Sequence, residues 1–285
     1  MNPRPNQPMN RRRRTSPTPP LPIVLGGAAL LVLVVVGGYL WLSTRPDPGE
    51  VTPADPQPAK SDSTLGEFEA PWTWGTGPGV DPEPLVLPEV AESDAFLRDL
   101  LRGLSNHPRV ATWLVPDELV HRFVRAVVAV SAGASPLEPL DFMIPEDSFA
   151  VATAMDRTVI SPDAYSRYDT PLAALRSVDP QAAARLYAQL LPLLSEAHRE
   201  LGFPEGTFDQ TFSTALEEIL RVSVPAGAVP VVPSEVGVGY AFGDSRLEAL
   251  SPAAKHLMRL GPRNARALQE WVSELGQAIW GSAPR

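Results

Sequence analysis

The sequence predicts a mainly α-helical protein in three parts: a single N-terminal transmembrane helix, a disordered proline-rich linker, and a multi-helix globular domain with one or two short β-hairpins. Three observations lead to this prediction. Residues 23–42 form an apolar run without a charged side chain. Ten prolines fall between residues 46 and 88. From residue 93 onward, apolar residues recur with the 3.6-residue period of a buried helix face.

The apolar run has the length of a membrane-spanning helix. At about 1.5 Å per helical residue it spans roughly 30 Å, the thickness of a bilayer's hydrocarbon core. We therefore predict a transmembrane helix over residues 21–43, with the lipid bilayer as its partner. A cleaved signal peptide is the alternative. Its apolar region is shorter, about 7–15 residues, and the residues after this run offer no small-residue cleavage site.

The distribution of charge predicts the orientation of this helix. Residues 1–20 form an Arg- and Pro-rich tail with five arginines and no acidic residue, whereas all 33 acidic residues lie beyond residue 46. Basic residues that flank a spanning helix stay on the cytoplasmic side. We therefore expect a cytoplasmic N-terminus and a C-terminal domain on the opposite side of the membrane.

Residues 44–92 are predicted to be a disordered linker. Proline fixes φ and removes a backbone donor, so its frequency here prevents both helices and sheet ladders from extending. Trp72 and Trp74 interrupt the polar composition. They either bind a partner or dock back on the folded domain. We favour docking because exposed tryptophans reduce solubility.

Residues 93–285 are predicted to fold as one domain of ordinary size. Counted from residue 46, the 24 basic residues of the chain less the six before that residue leave 18, against 33 acidic residues, so the predicted linker and domain together have a net charge of −15. Such a surface repels nucleic acid and anionic lipid, and we predict no nucleic-acid partner. The chain has no cysteine, so the domain depends on its core and not on disulfides.

Capping residues and apolar spacing predict the first two helices of the domain. Ser93 is expected to cap a helix whose apolar residues recur at one helical face. A second helix is expected to begin around Asp117 and to end at Gly133, because glycine suits a helix C-terminus. Its predicted buried residues are Leu119, Val120, Phe123, Val124, Val127 and Val128.

The next two helices have start signals of their own. Asp179 followed by Pro180 is a cap with proline at the first helical position, and Pro192 is expected to kink this helix. Thr207 and Gln210 have the spacing of a capping box that opens the following helix.

The last two helices complete the domain. Ser251 is expected to cap a short helix that ends at Gly261 and Pro262. An amphipathic C-terminal helix follows, and its apolar residues are Leu268, Trp271, Val272, Leu275 and Ile279.

Two stretches depart from the helical pattern. Residues 149–153 and 157–160 predict a β-hairpin because they are rich in β-branched residues around a short turn. Residues 229–232 and 236–242 are either a second hairpin or an irregular loop.

Two polar segments suggest a family. Residues 161–169 and 244–251 resemble a proteobacterial family of membrane-anchored proteins known as domain of unknown function 3014. Lys255, Arg259 and Asn264 belong to the same resemblance. It extends from the end of the linker to the C-terminus. The resemblance implies a bacterial inner-membrane protein with its domain in the periplasm, and it implies no activity.

The first polar segment contains candidate site residues Tyr165, Arg167, Tyr168 and Asp169. In one interpretation they line a pocket in which Arg167 binds a carboxylate bidentately. In the other they form a structural brace in which Arg167 pairs with Asp169. We favour the brace because structural ion-pair networks are the common case.

The second polar segment adds candidates Glu248, Lys255, Arg259 and Asn264. Lys255 and Arg259 lie one helical turn apart, and both Asp244 and Glu248 are close enough along the chain to reach them. A partly buried charge cluster that joins two short helices explains these residues without a ligand. A ligand site is the alternative.

Motifs for catalysis, cofactors and metals are missing from the sequence. The four histidines are not spaced as ligand pairs, and no nucleophile elbow or phosphate-binding loop occurs. We therefore predict no catalytic, cofactor-binding or metal-binding residues. The expected function is a non-enzymatic envelope interaction or scaffold module that meets an envelope protein or a wall partner. A periplasmic enzyme with an unidentified carboxylate site is the alternative.

Reporter fusions test the predicted topology. Alkaline phosphatase fused after Arg285 should be active, because the arginines before the apolar run hold the N-terminus inside. A fusion truncated before Pro22 should be inactive. Activity of a cytoplasmic reporter at Arg285 would contradict the predicted orientation.

Overall fold

The computed structural model describes residues 68–73, 85–136, 138–143, 148–235 and 239–282. The predicted tail, the predicted transmembrane helix and most of the predicted linker lie outside these ranges. Within these ranges, no helix is both long enough and apolar enough to cross a membrane.

The described part of the chain is mainly helical with two antiparallel hairpins, as predicted. Short 3-10 turns occupy Val90–Glu92 and Glu138–Met143. The helices and strands are, in order, α1 (Ser93–Arg102), α2 (Pro108–Trp113), α3 (Leu119–Ser131), β1 (Val151–Ala154), β2 (Arg157–Ile160), α4 (Pro162–Ser166), α5 (Asp169–Arg176), α6 (Pro180–Glu200), α7 (Phe208–Arg221), β3 (Val231–Pro233), β4 (Tyr240–Phe242), α8 (Ser245–Glu248), α9 (Pro252–Arg259) and α10 (Gly261–Trp280).

The longest helices, α3, α6, α7 and α10, pack against one another and enclose the core. Aromatic rings fill its centre, where Tyr187 stacks on Phe212 at 4.8 Å between ring centroids and Phe123 meets Phe212 edge-on at 6.0 Å. Such pairs contribute beyond the area they bury. The predicted buried face of α3 is confirmed, apart from Val128, which is only partly buried.

The predicted first hairpin is present, and the second stretch, for which the sequence allows a hairpin or an irregular loop, also forms a hairpin. In the first, Val151 pairs with Ile160 and Ala154 with Arg157. In the second, Val231 pairs with Phe242. A hydrogen bond of 3.0 Å from the Ile160 N–H to the Val229 carbonyl joins the first hairpin to the segment that leads into the second, and strands β2 and β3 are in contact.

Two of the predicted helix caps are confirmed and two are wrong. The Asp179 carboxylate accepts the Gln181 N–H at 2.8 Å, and the Ser251 hydroxyl accepts the Ala254 N–H at 3.1 Å. The Ser93 hydroxyl instead donates to the Val90 carbonyl, and the Thr207 hydroxyl donates to the Pro204 carbonyl, both at 2.7 Å. In both cases the hydroxyl stabilises the turn that precedes the helix, because a local carbonyl is within its reach.

Helix α3 is capped from another helix. The Asp94 carboxylate, on α1, accepts the N–H of Glu118 at 2.8 Å and that of Leu119 at 2.9 Å. Asp117, the predicted start, instead accepts Arg98 Nη2 at 2.7 Å. The helix therefore begins two residues later than predicted, and its first turn depends on a contact between helices.

Trp72 is a core residue of the folded domain. Its side chain is 4 % exposed, its indole N–H donates to the Ser213 hydroxyl at 3.0 Å, and its ring lies 5.6 Å from that of Trp280. Docking is thus confirmed for Trp72, whereas Trp74 lies outside the described residues. Val90 is buried as well, so the core includes residues that precede the predicted boundary at residue 93.

Gly276 makes room for this tryptophan. A Cβ atom at Gly276 would lie 2.3 Å from Trp72 Cε3, which is closer than any ordinary contact. Glycine inside a helix is unfavourable by about 1 kcal/mol relative to alanine. Its presence in α10 is explained by the close approach of the indole.

A double-mutant cycle tests this contact in the full chain. Trp72→Ala should destabilise by about 3–5 kcal/mol, because it empties a large buried volume. Gly276→Ala should destabilise the wild type, because the indole must move. In the Trp72→Ala background the same change should stabilise by about 1 kcal/mol through helix propensity. Urea unfolding measures all four proteins, and an effect of Gly276→Ala with the same sign in both backgrounds would contradict the contact.

Candidate functional site

The eight candidate site residues lie on or next to α4, the start of α5, α8, α9 and the start of α10. They form two adjoining groups, and the hydrogen-bonded pair Arg167 and Tyr168 lies between them. The first group contains Tyr165, Asp169 and Asn264, and the second contains Glu248, Lys255 and Arg259.

Asn264 joins the first group. Its side chain is 4 % exposed, and its amide Nδ2 donates to the Tyr165 carbonyl and to Asp169 Oδ1, both at 3.0 Å. Gly261 lets these helices approach, because it has φ +79° and a Cβ atom there would lie 2.6 Å from the Tyr165 ring. A side chain at Gly261 is therefore excluded both by the backbone conformation and by the ring.

Burial dominates the chemistry of the two tyrosines. It raises the pKa of Tyr165 to about 12, with a smaller effect from Tyr168. It also raises the pKa of Tyr168, although Arg167 and Arg259 oppose this. Both hydroxyls are therefore protonated at neutral pH, and neither is poised to act as a base.

Arg167 contacts aromatic rings. Its Nη2 donates to the Tyr168 hydroxyl at 2.6 Å, and its guanidinium carbon lies 4.7 Å from the Tyr168 ring centroid and 5.6 Å from that of Phe149. The predicted ion pair between Arg167 and Asp169 is wrong. Asp169 instead pairs with Arg263, at 3.6 Å between Oδ2 and Nη2. The start of α5 is therefore bound to α10 and not to its own preceding turn.

The second group ties α9 to the second hairpin. Glu248 Oε1 accepts Lys255 Nζ at 2.8 Å, and Glu248 Oε2 accepts the Phe242 N–H at 2.8 Å. Arg259 donates to the Tyr240 carbonyl at 3.3 Å and lies 5.2 Å from the Phe242 ring. The predicted pairing of Glu248 with Lys255 is confirmed, whereas Asp244 caps α8 through the Arg246 N–H.

The pKa of Glu248 follows from these contacts. Burial raises it, but the hydrogen bonds from Lys255 and from the Phe242 N–H, with the charges of Lys255 and Arg259, lower it by more. The carboxylate is therefore ionised at neutral pH. This arrangement fits the structural brace that the sequence suggested, and it does not provide a general acid.

A cleft of about 420 Å³ opens between α5 and the first half of α10. Arg176, at the end of α5, has no hydrogen bond or ion pair to any residue whose position is described. The side chain of Arg263 is 82 % exposed. The cleft is lined by Asp169, Leu172, Ala173, Arg176, Ser177, Arg263, Asn264 and Ala267.

Sequence reasoning identified only part of this cleft. Asp169 and Asn264 were candidates, but Arg176 and Arg263 were not. An arginine on a polar helix face is common in any soluble domain, so no local signal marks either one. Only the packing of α5 against α10 brings them to the same cleft.

The fold also buries a histidine next to the second group. His256 on α9 is 7 % exposed, its Nε2 lies 2.8 Å from the Ser135 hydroxyl, and it lines a small cavity of about 10 Å³. Burial, followed by the charges of Arg259 and Lys255, lowers its pKa to about 3. In the part of the chain that the structure describes, no three His, Asp or Glu side chains are grouped to hold a metal ion.

A comparison with protein families places the domain. The model of the family described as protein of unknown function (DUF3014) matches residues 119–276. The chain belongs to this family. The DUF3014 match contains all eight candidate residues and the whole cleft, whereas Trp72 and Trp280 lie outside it. No curated protein and no solved structure matches the chain.

The buried histidine predicts a pH dependence of stability. Below the ordinary pKa of 6.5, the unfolded chain takes up a proton at His256, whereas the folded DUF3014 domain does so only near pH 3. The free energy of unfolding should therefore fall with decreasing pH across this window, by about 1.4 kcal/mol per pH unit from this group.

Urea unfolding of wild type and His256→Gln at pH 7, 6, 5 and 4 measures this dependence. The variant should show the shallower slope. Ser135→Ala is the matched control, because it removes the hydroxyl partner and keeps the imidazole, so its slope should stay that of the wild type. Equal slopes for wild type and His256→Gln would contradict the assignment.

Proposed function

We propose that this protein is a non-enzymatic interaction module of the bacterial inner membrane. A single helix over residues 21–43 anchors it, the N-terminus is cytoplasmic, and the DUF3014 domain lies in the periplasm. The charge-free apolar run and the arginines before it support the anchor and its orientation. The partner is an envelope protein.

The cleft between α5 and α10 is the observation that carries this proposal. It is open to solvent, and it presents two exposed guanidinium groups on rigid helices. Arginine, like tryptophan and tyrosine, is enriched at the energetic centre of protein interfaces, because it combines charge, planarity and several donors. An open cleft with two exposed arginines therefore favours binding of a partner protein.

The state of the carboxylates favours binding over catalysis. Asp169 accepts a hydrogen bond from Asn264 and pairs with Arg263, and Glu248 is held ionised by Lys255. Hydrolysis of envelope material by a carboxylate pair needs one carboxyl with a raised pKa to act as the acid. The contacts of Glu248 do the opposite, because they lower the pKa of this carboxyl.

The docking of Trp72 bears on the length of the tether. With the anchor ending at residue 43, the chain between anchor and domain is 28 residues if the domain begins at Trp72, and 49 if it begins at residue 93. As a flexible coil, 28 residues reach roughly 30 Å. Such a tether keeps the cleft close to the membrane and raises its effective concentration toward other membrane-bound proteins.

Site-specific photo-crosslinking in cells tests the interaction. A photoreactive amino acid at Ala173 or Ala267, which line the cleft, should give the same reproducible protein adduct. Ala132 is the control, because it is exposed at the end of α3 and outside the cleft. Adducts only from Ala132, or none from either cleft position, would contradict the proposal. Hydrolysis of envelope material by the purified chain, lost in Asp169→Asn, would favour the enzyme.

A further inference from the structure

We infer that the cleft between α5 and α10 binds a carboxylate group that the partner presents, either a C-terminus or an Asp or Glu side chain. This inference rests on the proposed function, because it names the chemistry by which the cleft recognises its partner. It follows from the charges in the cleft, from the way they are held, and from the apolar side chains beside them.

The cleft carries one positive charge in excess. Arg176 and Arg263 contribute two positive charges, and Asp169 contributes one negative charge. Among the described residues, Asp169 forms one ion pair, with Arg263, and that pair is long at 3.6 Å and largely exposed. Exposed pairs of this kind contribute little free energy, so Arg263 can turn to a ligand at low cost.

Asn264 fixes Asp169, which is the only carboxylate among the described residues that line the cleft. Its buried amide donates to Asp169 Oδ1 at 3.0 Å, so one of the two carboxylate oxygens already accepts a hydrogen bond. Arg176 has no partner among the described residues, and its guanidinium is fully available. The intramolecular acid therefore cannot neutralise both arginines.

The single excess positive charge of the cleft favours a singly charged anion as the ligand. A carboxylate carries a single negative charge and matches the planar fork of a guanidinium through two parallel hydrogen bonds. A phosphate monoester carries about −1.5 to −2 at neutral pH and would leave uncompensated negative charge beside Asp169. Residues 93–285 hold 17 basic and 23 acidic residues, and this net charge of −6 adds to the repulsion of a dianion.

The other residues that line the cleft can contact the part of the partner polypeptide that carries the carboxylate. Leu172, Ala173 and Ala267 provide an apolar surface beside the arginines. The Ser177 hydroxyl is already bonded to the Ser105 hydroxyl and to the Ala174 carbonyl, both at 2.5 Å. Specificity therefore comes from the arginines and the apolar surface.

Fluorescence anisotropy on the full-length chain in detergent tests the inference. The probe is a Gly-Ser-Gly-Ala peptide with an N-terminal rhodamine label and a free C-terminal carboxylate, compared with its C-terminally amidated twin. The carboxylate peptide should bind at least about tenfold more tightly, because charged hydrogen bonds distinguish the two. Equal binding of the two peptides would overturn the inference.

Charge-matched variants locate the site. Arg176→Gln and Arg263→Gln should each weaken binding of the carboxylate peptide about tenfold or more. Arg266→Gln is the control, since it removes the same charge from an exposed position on α10 outside the cleft, and it should change affinity less than about twofold. An equal effect of all three would show a general charge effect and contradict the site.

Asp169→Asn gives a gain of affinity that misfolding cannot imitate. It removes the competing charge and keeps an oxygen for Asn264, so carboxylate binding should strengthen several-fold. Inorganic phosphate should compete more weakly than acetate for the wild-type cleft at equal ionic strength. Stronger competition by phosphate would overturn the ligand class.

The outcomes separate this inference from the proposed function. Adducts at Ala173 and Ala267 without any preference for the carboxylate peptide would leave the interaction module standing and overturn the inference. A clear carboxylate preference without cleft adducts would establish the anion site and overturn the partner role.

Discussion

One buried amide holds the candidate site together. Asn264 donates from a single Nδ2 to the Tyr165 carbonyl and to the Asp169 carboxylate, so α10 is bound at the same point to α4 and to α5. A buried amide without partners would cost about 1–3 kcal/mol, so the three helices can pack this closely around Asn264 only because both hydrogen bonds form. Because α5 and α10 form the walls of the cleft, this bond also determines where Arg176 and Arg263 stand.

The same junction requires an unusual backbone. Gly261 begins α10 with a positive φ, and its missing side chain leaves room for the Tyr165 ring. A polar bond and a close backbone approach therefore act together, since Asn264 reaches the Tyr165 carbonyl only if the ring can lie against Gly261. The site depends on precise packing of short helices and not on a flexible loop.

Acidic side chains in this domain act mostly as structural partners. Asp94 caps a helix to which it does not belong, Glu248 joins a hairpin to α9, and Asp209 accepts hydrogen bonds from both Tyr187 and Trp280. In these contacts the negative charge is directed at backbone N–H groups and at donor side chains. The cleft differs, because its excess charge is positive.

The sequence alone predicted much of this domain. Local signals gave the helical class, the first hairpin and the caps Asp179 and Ser251, because these depend on residues a few positions apart. Resemblance marked Tyr165, Asp169 and Asn264 without showing what joins them. The remaining features arise from contacts between distant residues. Trp72 meets Gly276 across 204 positions, and Asp94 caps α3 from α1. Arg176 and Arg263 share a cleft because α5 packs on α10. Only the tertiary structure decides such pairings, since the free energy that selects them exists only when the core is assembled.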